Sequence, residues 1–391
     1  MHEPLGLPSH INLPAAAALT TQQPRQESKH PMLPVRILIV DDSVVVRKLL
    51  CEALASSPEV ELAGTASSGA IALAKIPQLN PDVLTLDIEM PGLNGIQTLT
   101  EIRKLYPKLP VIMFSTLTER GAAITLEALT LGASDYVTKP SNSESLAKAM
   151  EHVRKELLAK IICLAQQRSP VKPAPTFAPI RNNPGGHRIE ILAIGTSTGG
   201  PNALHEVIPH LPEDFPVPVV IVQHMPPLFT RLLAERLNSR SSLSVQEGEA
   251  GMPLKPGQVW IAPGNYHMTV ERKGTRTALN LNQEPPENSC RPAVDVLFRS
   301  VAQIYGPSVL AVVMTGMGSD GARGAMHIRE AGGGIVVQDE TSSVVWGMPG
   351  AVVTAGVADK VCPLPEISQE IVRRVSFSRA RVPDVPATQA K

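Results

Sequence analysis

Residues Gly195-Thr196-Ser197-Thr198-Gly199 set one serine between two glycines. They come just after the apolar run 191–194 and before an alanine-bearing helical pattern that starts past Pro201. Strand, tight turn and helix in that order match G-x-S-x-G, a turn that lifts a serine oxygen above the edge of a sheet. Side chains larger than hydrogen at the flanking positions would block the turn and the approach of a substrate to the backbone. Backbone N–H groups at a helix start also suit a developing oxyanion. A dinucleotide-binding fold opens in a similar way, with glycine where Ser197 stands. The turn alone therefore leaves nucleophile, phosphate loop and structural turn open.

Two further apolar runs end in groups that a serine nucleophile needs. Residues 219–222 lead into Gln223-His224-Met225-Pro226, and residues 310–314 lead into Thr315-Gly316-Met317-Gly318-Ser319-Asp320. Strand ends of a parallel sheet share one rim, so Ser197, His224 and Asp320 can converge as nucleophile, base and orienting carboxylate. The order Ser…His…Asp is not that of the α/β-hydrolases, but a triad is recognised by geometry and not by order. Taken singly, His224 also reads as a hydrogen-bonded loop residue and Asp320 as an N-cap. His205 and His210 read as surface residues, and no H-E-x-x-H zinc pattern is present.

A second set of polar residues lies in the first half of the chain. Asp41, Asp42, Asp87, Ser115 and Lys139 each sit at or just past the end of an apolar strand candidate. Three carboxylates on one rim repel unless a cation lies among them, and hard oxygen ligands suit Mg²⁺. Lys139 adds a mobile positive charge able to pair with a phosphoryl oxygen.

The elements that position these residues alternate. Strand candidates at 35–40, 60–66, 83–86, 111–114 and 135–137 are separated by helical patterns, and a charged amphipathic helix from about 145 to 165 follows. A second series places strands at 189–194, 217–222, 258–262, 279–281, 309–314 and 334–337, with helices between several of them and a β-rich or irregular insertion between 247 and 282. The fold expected is α/β: two doubly wound domains, a flavodoxin-like five-stranded one followed by a Rossmann-like, mainly parallel one.

Composition bounds the rest. A length of 391 residues suits about two domains. With 36 basic and 36 acidic residues, nothing points to nucleic acid or an anionic membrane surface. No apolar run reaches the roughly 18–20 residues of a membrane span, and no secretory signal pattern opens the chain. Cys51, Cys163, Cys290 and Cys362 are far apart, which reads as reduced thiols in a cytoplasmic protein. Expected boundaries are a disordered tail at 1–34, a first domain at 35–157, a Pro-rich linker at 158–187, a second domain at 188–377 and a disordered tail at 378–391.

The first domain resembles a two-component response-regulator receiver. The resemblance rests on Asp41-Asp42, Asp87 within LDIEMPGLNG, Ser115 within MFST, Tyr136 and Lys139-Pro140. It implies Asp87 as the phosphorylated residue, Mg²⁺ held by Asp41, Asp42 and Asp87, switching at Ser115 and Tyr136 beside Lys139, and a histidine kinase as phosphodonor. The second domain resembles the chemotaxis protein-glutamate methylesterases, through AIGTSTGGP (193–201), VQHMP (222–226), IAPGNYHM (261–268), RPAVDVLF (291–298), MTGMGSDGA (314–322) and WGMPG (346–350). That likeness implies a phosphorylation-activated serine hydrolase with Ser197, His224 and Asp320 as its triad and Thr198 and Met317 as neighbouring, oxyanion-side groups. It implies no cofactor for the esterase reaction, no membrane insertion, and chemoreceptors (methyl-accepting chemotaxis proteins) as substrate, demethylated at glutamate methyl esters and deamidated at selected glutamines. Thr196 departs from the family pattern, where alanine is commoner, and the 34-residue leader is an addition to it.

Overall fold

Apolar runs read as strands because helices cover both of their faces, and β1 (Val35–Val40) shows this in VRILIV, whose last four residues are buried. A computed structural model describes His2 and residues 33–140, 146–166 and 187–381 of the chain. The first sheet joins β1 to β2 (Val60–Ala66), β3 (Val83–Asp87), β4 (Val111–Ser115) and β5 (Asp135–Thr138) in the order β2-β1-β3-β4-β5. All its pairings are parallel. Helices α1 (Val44–Ala55), α2 (Gly69–Leu79), α3 (Gly95–Leu105), α4 (Glu119–Thr130) and α5 (Leu146–Gln166) alternate with the strands. Side chains cap the starts of the first four: Ser43, Ser68, Asn94 and Thr118 each accept a bond from a backbone N–H of the first turn. The chain moves from β1 to one side and then to the other, so the rim beyond β1 and β3 is the switch point where such sheets bind ligands.

The second sheet has seven parallel strands: β6 (Ile191–Thr196), β7 (Val219–Gln223), β8 (Ser244–Glu247), β9 (Gln258–Ile261), β12 (Val309–Val313), β13 (Gly334–Gln338) and β14 (Lys360–Cys362). Their order is β14-β13-β12-β6-β7-β9-β8. An antiparallel hairpin, β10 (His267–Lys273) and β11 (Arg276–Asn282), forms the insertion. Helices α6 (Gly200–Val207), α7 (Phe229–Asn238), α8 (Val294–Tyr305), α9 (Ala322–Glu330), α10 (Gly347–Thr354) and α11 (Leu364–Arg381) complete the layer structure. Here β6 is central and the chain reverses direction across it, so the ends of β6, β7 and β12 share one rim. Both sheets lie within the compact unit Pro34–Lys391.

The architecture is the two doubly wound, parallel-sheet arrangement expected, with differences at the margins. Residues 158–166, expected in the linker, are the last turns of α5, because Leu157, Ile161 and Leu164 continue a buried stripe at helical spacing. Residues 378–381, expected in the C-terminal tail, are the end of α11, where the buried Ser378 accepts a bond from Ile189 N. The strands β8, β10 and β14 had no clear apolar run to announce them. β8 and β14 are edge strands of four and three residues, and β10 ends in charged residues. Nearly all of the leader, the Pro-rich stretch 167–186 and the residues past 381 lie outside the described residues.

Candidate functional site

The rim of the first sheet gathers its acidic residues. Asp41 follows β1 and Asp87 ends β3, and both are almost wholly buried. With the exposed Asp42 they offer carboxylate oxygens that all lie within 4.8 Å of one another. Lys139, just past β5, places Nζ 2.8 Å from Asp87 Oδ1 and 3.4 Å from Asp41 Oδ2. Among the described residues, Asp87 Oδ2 accepts no hydrogen bond, and Asp41 Oδ2 has only its long ion pair with Lys139. Burial pushes the Asp87 carboxyl up to about 6; Lys139 opposes this and Asp41 adds to it. Clustered hard oxygens, one of them unpartnered, are the donor set that Mg²⁺ takes, so the residues fit that ion. Ser115 at the end of β4 is turned toward α4, accepting from Thr125 Oγ1 at 2.6 Å and lying 3.3 Å from the Gly121 carbonyl.

The second rim is built on glycines that leave no room for a side chain. A Cβ on Gly195 would lie 2.4 Å from Val294 Cγ1, and one on Gly200 would lie 1.9 Å from Gln223 Oε1. Gly199 has φ +77°, the left-handed region, at the N-terminus of α6. Ser197 N donates to Thr315 O (3.0 Å), and Ser197 O accepts from Gly200 N (2.8 Å) and Gln223 Nε2 (2.9 Å). The Thr196 hydroxyl donates to Gln223 Oε1, which turns the other end of that amide toward Ser197. Thr196, the departure from the family pattern, thereby helps anchor the serine turn.

His224 follows β7 one residue past the Thr196–Gln223 pair, so it stands beside Ser197 on the neighbouring strand. Its Nε2 lies 2.7 Å from Asp320 Oδ2, and its Nδ1 lies 3.5 Å from Cys290 Sγ. Burial alone would lower the imidazole pKa, but bonding to Asp320 and Cys290 raises it to about 10. Asp320 is 2% exposed. Burial pushes its carboxyl up, but the His224 bond and charge and the N–H groups of Asp295 and Val294 hold it below the usual range. Ser197 is half-buried, and its hydroxyl has no hydrogen-bond partner among the described residues.

The geometry thus joins His224 to Asp320 and puts Ser197 on the adjacent strand end. Thr198 points elsewhere: its buried hydroxyl donates to Asp135 Oδ2 of β5 at 2.6 Å. Met317 and Val344 pack against an apolar cluster that includes Ile161 and Leu164 of α5, and Val345 is a buried member of it. Tyr136, fully packed, stacks on Phe229 of α7 with ring centroids 4.7 Å apart and planes 6° from parallel. Burial raises its phenol pKa, with the charges of Asp135 and Glu156 adding to the effect. Asn202 Nδ2 donates to Leu129 O, and Arg231 pairs with Glu119 at the exposed margin. The first sheet's β5 face thereby covers the turn that carries Ser197.

Sequence reasoning missed Cys290, Asn288, Gln223, Asp135 and Phe229. The run Glu287-Asn288-Ser289-Cys290 had one available signal: four residues, three of them polar, set between two proline-containing segments just before a helix.

Comparison with known proteins extends over both rims. The response regulator receiver domain family matches residues 37–151, and the CheB methylesterase family matches residues 192–371. The protein-glutamate methylesterase/protein-glutamine glutaminase of Trichodesmium erythraeum is 52% identical over 347 residues, covering 87% of this chain and 99% of that protein. Its counterpart in a Nocardioides species is 52% identical over 364 residues, covering 90% and 98%. A solved CheB methylesterase catalytic domain from Thermotoga maritima is 43% identical, covering 48% of this chain and 99% of its own, with a TM-score of 0.47.

Proposed function

This chain belongs to the CheB methylesterase family with a receiver domain, the protein-glutamate methylesterases/protein-glutamine glutaminases, and on that premise we propose how its residues carry out and control the reaction. It is a serine hydrolase. Ser197 attacks the carbonyl carbon of a γ-glutamyl methyl ester on a chemoreceptor. His224, in its neutral form, takes the serine proton and passes it to the departing methoxide, which leaves as methanol; the raised imidazole pKa makes that form more abundant as pH rises. Water, deprotonated by the same imidazole, then adds to the acyl-serine, and the proton returns to Ser197 as the glutamate is released. A glutamine side chain enters the same route with ammonia as leaving group.

The observation that carries the reading is the 2.7 Å bond between His224 Nε2 and Asp320 Oδ2, one strand away from Ser197. Asp320 occupies Nε2, so Nδ1, which lies 3.5 Å from Cys290 Sγ, is the ring nitrogen that exchanges that contact for the serine hydroxyl to receive its proton. Thr198 follows the nucleophile and Met317 follows Gly316, whose added Cβ would lie 2.8 Å from Ser197 Cβ; the backbone N–H groups of Thr198 and Met317 are the oxyanion donors in this scheme.

Control comes from the first rim. Asp87 accepts the phosphoryl group from a histidine kinase, and Asp41, Asp42 and Asp87 hold Mg²⁺, which when bound offsets the charge of the transferring group. In the resting chain the β5 face sits over the serine turn through Thr198–Asp135 and Tyr136–Phe229. Phosphorylation draws Ser115 and Tyr136 toward Asp87 and loosens that cover. No described helix is long and apolar enough to cross a membrane, and the enzyme acts from the cytoplasm on the receptors' cytoplasmic helices.

Methanol release from methylated receptor membranes tests both parts. Wild type should release methanol faster with a small-molecule phosphodonor, and Ser197→Ala should lose activity by several orders of magnitude. A Ser197→Ala chain that keeps most of its rate would exclude the nucleophile. Equal rates with and without phosphodonor would exclude the control.

A further inference from the structure

Asp320 does not stand alone in the second rim. Its Oδ2 accepts from Val294 N (2.7 Å) besides His224, and its Oδ1 accepts from Asp295 N (2.9 Å), Gly321 N (3.0 Å) and Asn288 Nδ2 (2.8 Å). The same Asn288 nitrogen donates to Asp295 Oδ2 at 2.9 Å. Asp295 is wholly buried, and its other oxygen accepts from Gly324 N at 2.6 Å. One side-chain NH₂ therefore lies between two buried carboxylates, a place where two anions without a shared donor would repel strongly.

The amide is fixed in that orientation from outside. Arg323 Nη2 donates to Asn288 Oδ1 at 2.8 Å, so the oxygen end faces the guanidinium and the nitrogen end faces the acids. Arg323 Nε also reaches Asp295 Oδ2 at 3.3 Å, and Nη2 reaches Glu287 at 3.4 Å. Glu287 in turn takes both terminal nitrogens of Arg299, at 2.7 and 2.6 Å. The backbone at Asn288 and Ser289 has φ +52° and +63°, a conformation that asparagine tolerates better than most residues. Asparagine is thus suited to the position by both its backbone and its donor.

We propose that Asn288 is a positioning residue of the reaction: its amide, oriented by Arg323, holds the Asp320 carboxylate ionised and aimed at His224 while separating it from Asp295. The role rests on Ser197, His224 and Asp320 acting as read above. Removing the donor leaves the substrate contacts untouched, so kcat changes and KM does not.

The test uses the full-length chain with phosphodonor and methylated receptor membranes, comparing wild type, Asn288→Asp, Arg323→Met and Ser197→Ala. Asp at 288 keeps the shape and the backbone tolerance, but when ionised it cannot donate. Its kcat should fall by about 10- to 100-fold, the loss expected for one hydrogen bond to a charged group, with KM unchanged. Its deficit relative to wild type should shrink as pH falls, because a protonated carboxyl regains a donor between Asp320 and Asp295; a purely structural role would give a ratio flat in pH. Arg323 has a 62% exposed side chain, so Arg323→Met should fold and show a smaller loss in kcat, again with KM unchanged. An unchanged kcat in Arg323→Met, an unchanged kcat in Asn288→Asp, or a pH-independent ratio overturns the proposal. If Asn288→Asp fails to fold, Arg323→Met decides alone. Inactive Ser197→Ala with fully active Asn288→Asp removes only the role of Asn288, whereas active Ser197→Ala removes the triad and this role together.

Discussion

Asp41 and Asp87 lie side by side with almost no exposure to solvent, and Lys139 is the cation that reaches both. A folded-state pKa near 6 for Asp87 means that the folded chain holds that proton more tightly than the unfolded one. Burying Asp87 therefore costs stability above about pH 6, and the cost fades as pH falls from there toward the ordinary carboxylate range. At the proposed metal site the same proton would compete with a cation. Mg²⁺ affinity, followed by titration calorimetry or tryptophan-independent NMR shifts, should weaken as pH falls through about 6 and should be lost in Asp87→Ala. Affinity flat between pH 7 and 5 would show that the ion does not use Asp87. On the second rim the same residue-scale logic separates roles by partner. His224 has one nitrogen on a buried carboxylate and one on a thiol, and Asp320 has its charge spread over backbone N–H groups and Asn288.

The element that matters most is the turn from β6 into α6. Its glycines are required by close approach as much as by dihedral angle. A Cβ at Gly200 would meet Gln223 Oε1 at 1.9 Å and Thr196 Oγ1 at 2.6 Å, breaking the contact that holds the carbonyl of Ser197. Gly200→Ala should lower stability by about 1–3 kcal/mol, the cost of overpacking, and should lower kcat further in the fraction that folds. Denaturant unfolding with parallel methanol-release assays would separate the two effects. A variant with wild-type stability and rate would mean that Gln223 has room to move. Helix α5 makes the complementary point. Its helical pattern reaches about 165 in the sequence, past the expected start of the linker at 158, and Ile161 and Leu164 are buried in the cluster that holds Val345.

At the scale of the whole molecule, the two sheets meet over the serine turn through contacts of unequal weight. The Thr198–Asp135 bond is buried at both ends, and Asp135 is also 3.4 Å from Lys160 Nζ. The Arg231–Glu119 pair is exposed, and such pairs contribute roughly 0–1 kcal/mol. If the β5 face restrains the enzyme, Asp135→Ala should raise methanol release without phosphodonor toward the stimulated rate, while Glu119→Ala should leave it nearly unchanged. Equal, unaltered resting rates in both variants would place the restraint elsewhere.

The sequence by itself determined the alternation of strands and helices, the parallel sheets, and the presence of acidic groups on one rim and Ser, His and Asp on another. Those features are local: apolar runs, glycine turns and the residue after each strand are read within a few positions of one another. Edge strands β8 and β14 escaped because they are short and depend on what packs beside them. Only the tertiary structure decided which ring nitrogen of His224 meets Asp320, 96 residues away, that Thr198 turns to Asp135 across 63 residues, and that Asn288 stands between two carboxylates. Such pairings follow from how buried polar groups find partners once the sheets are packed, and no spacing along the chain encodes them.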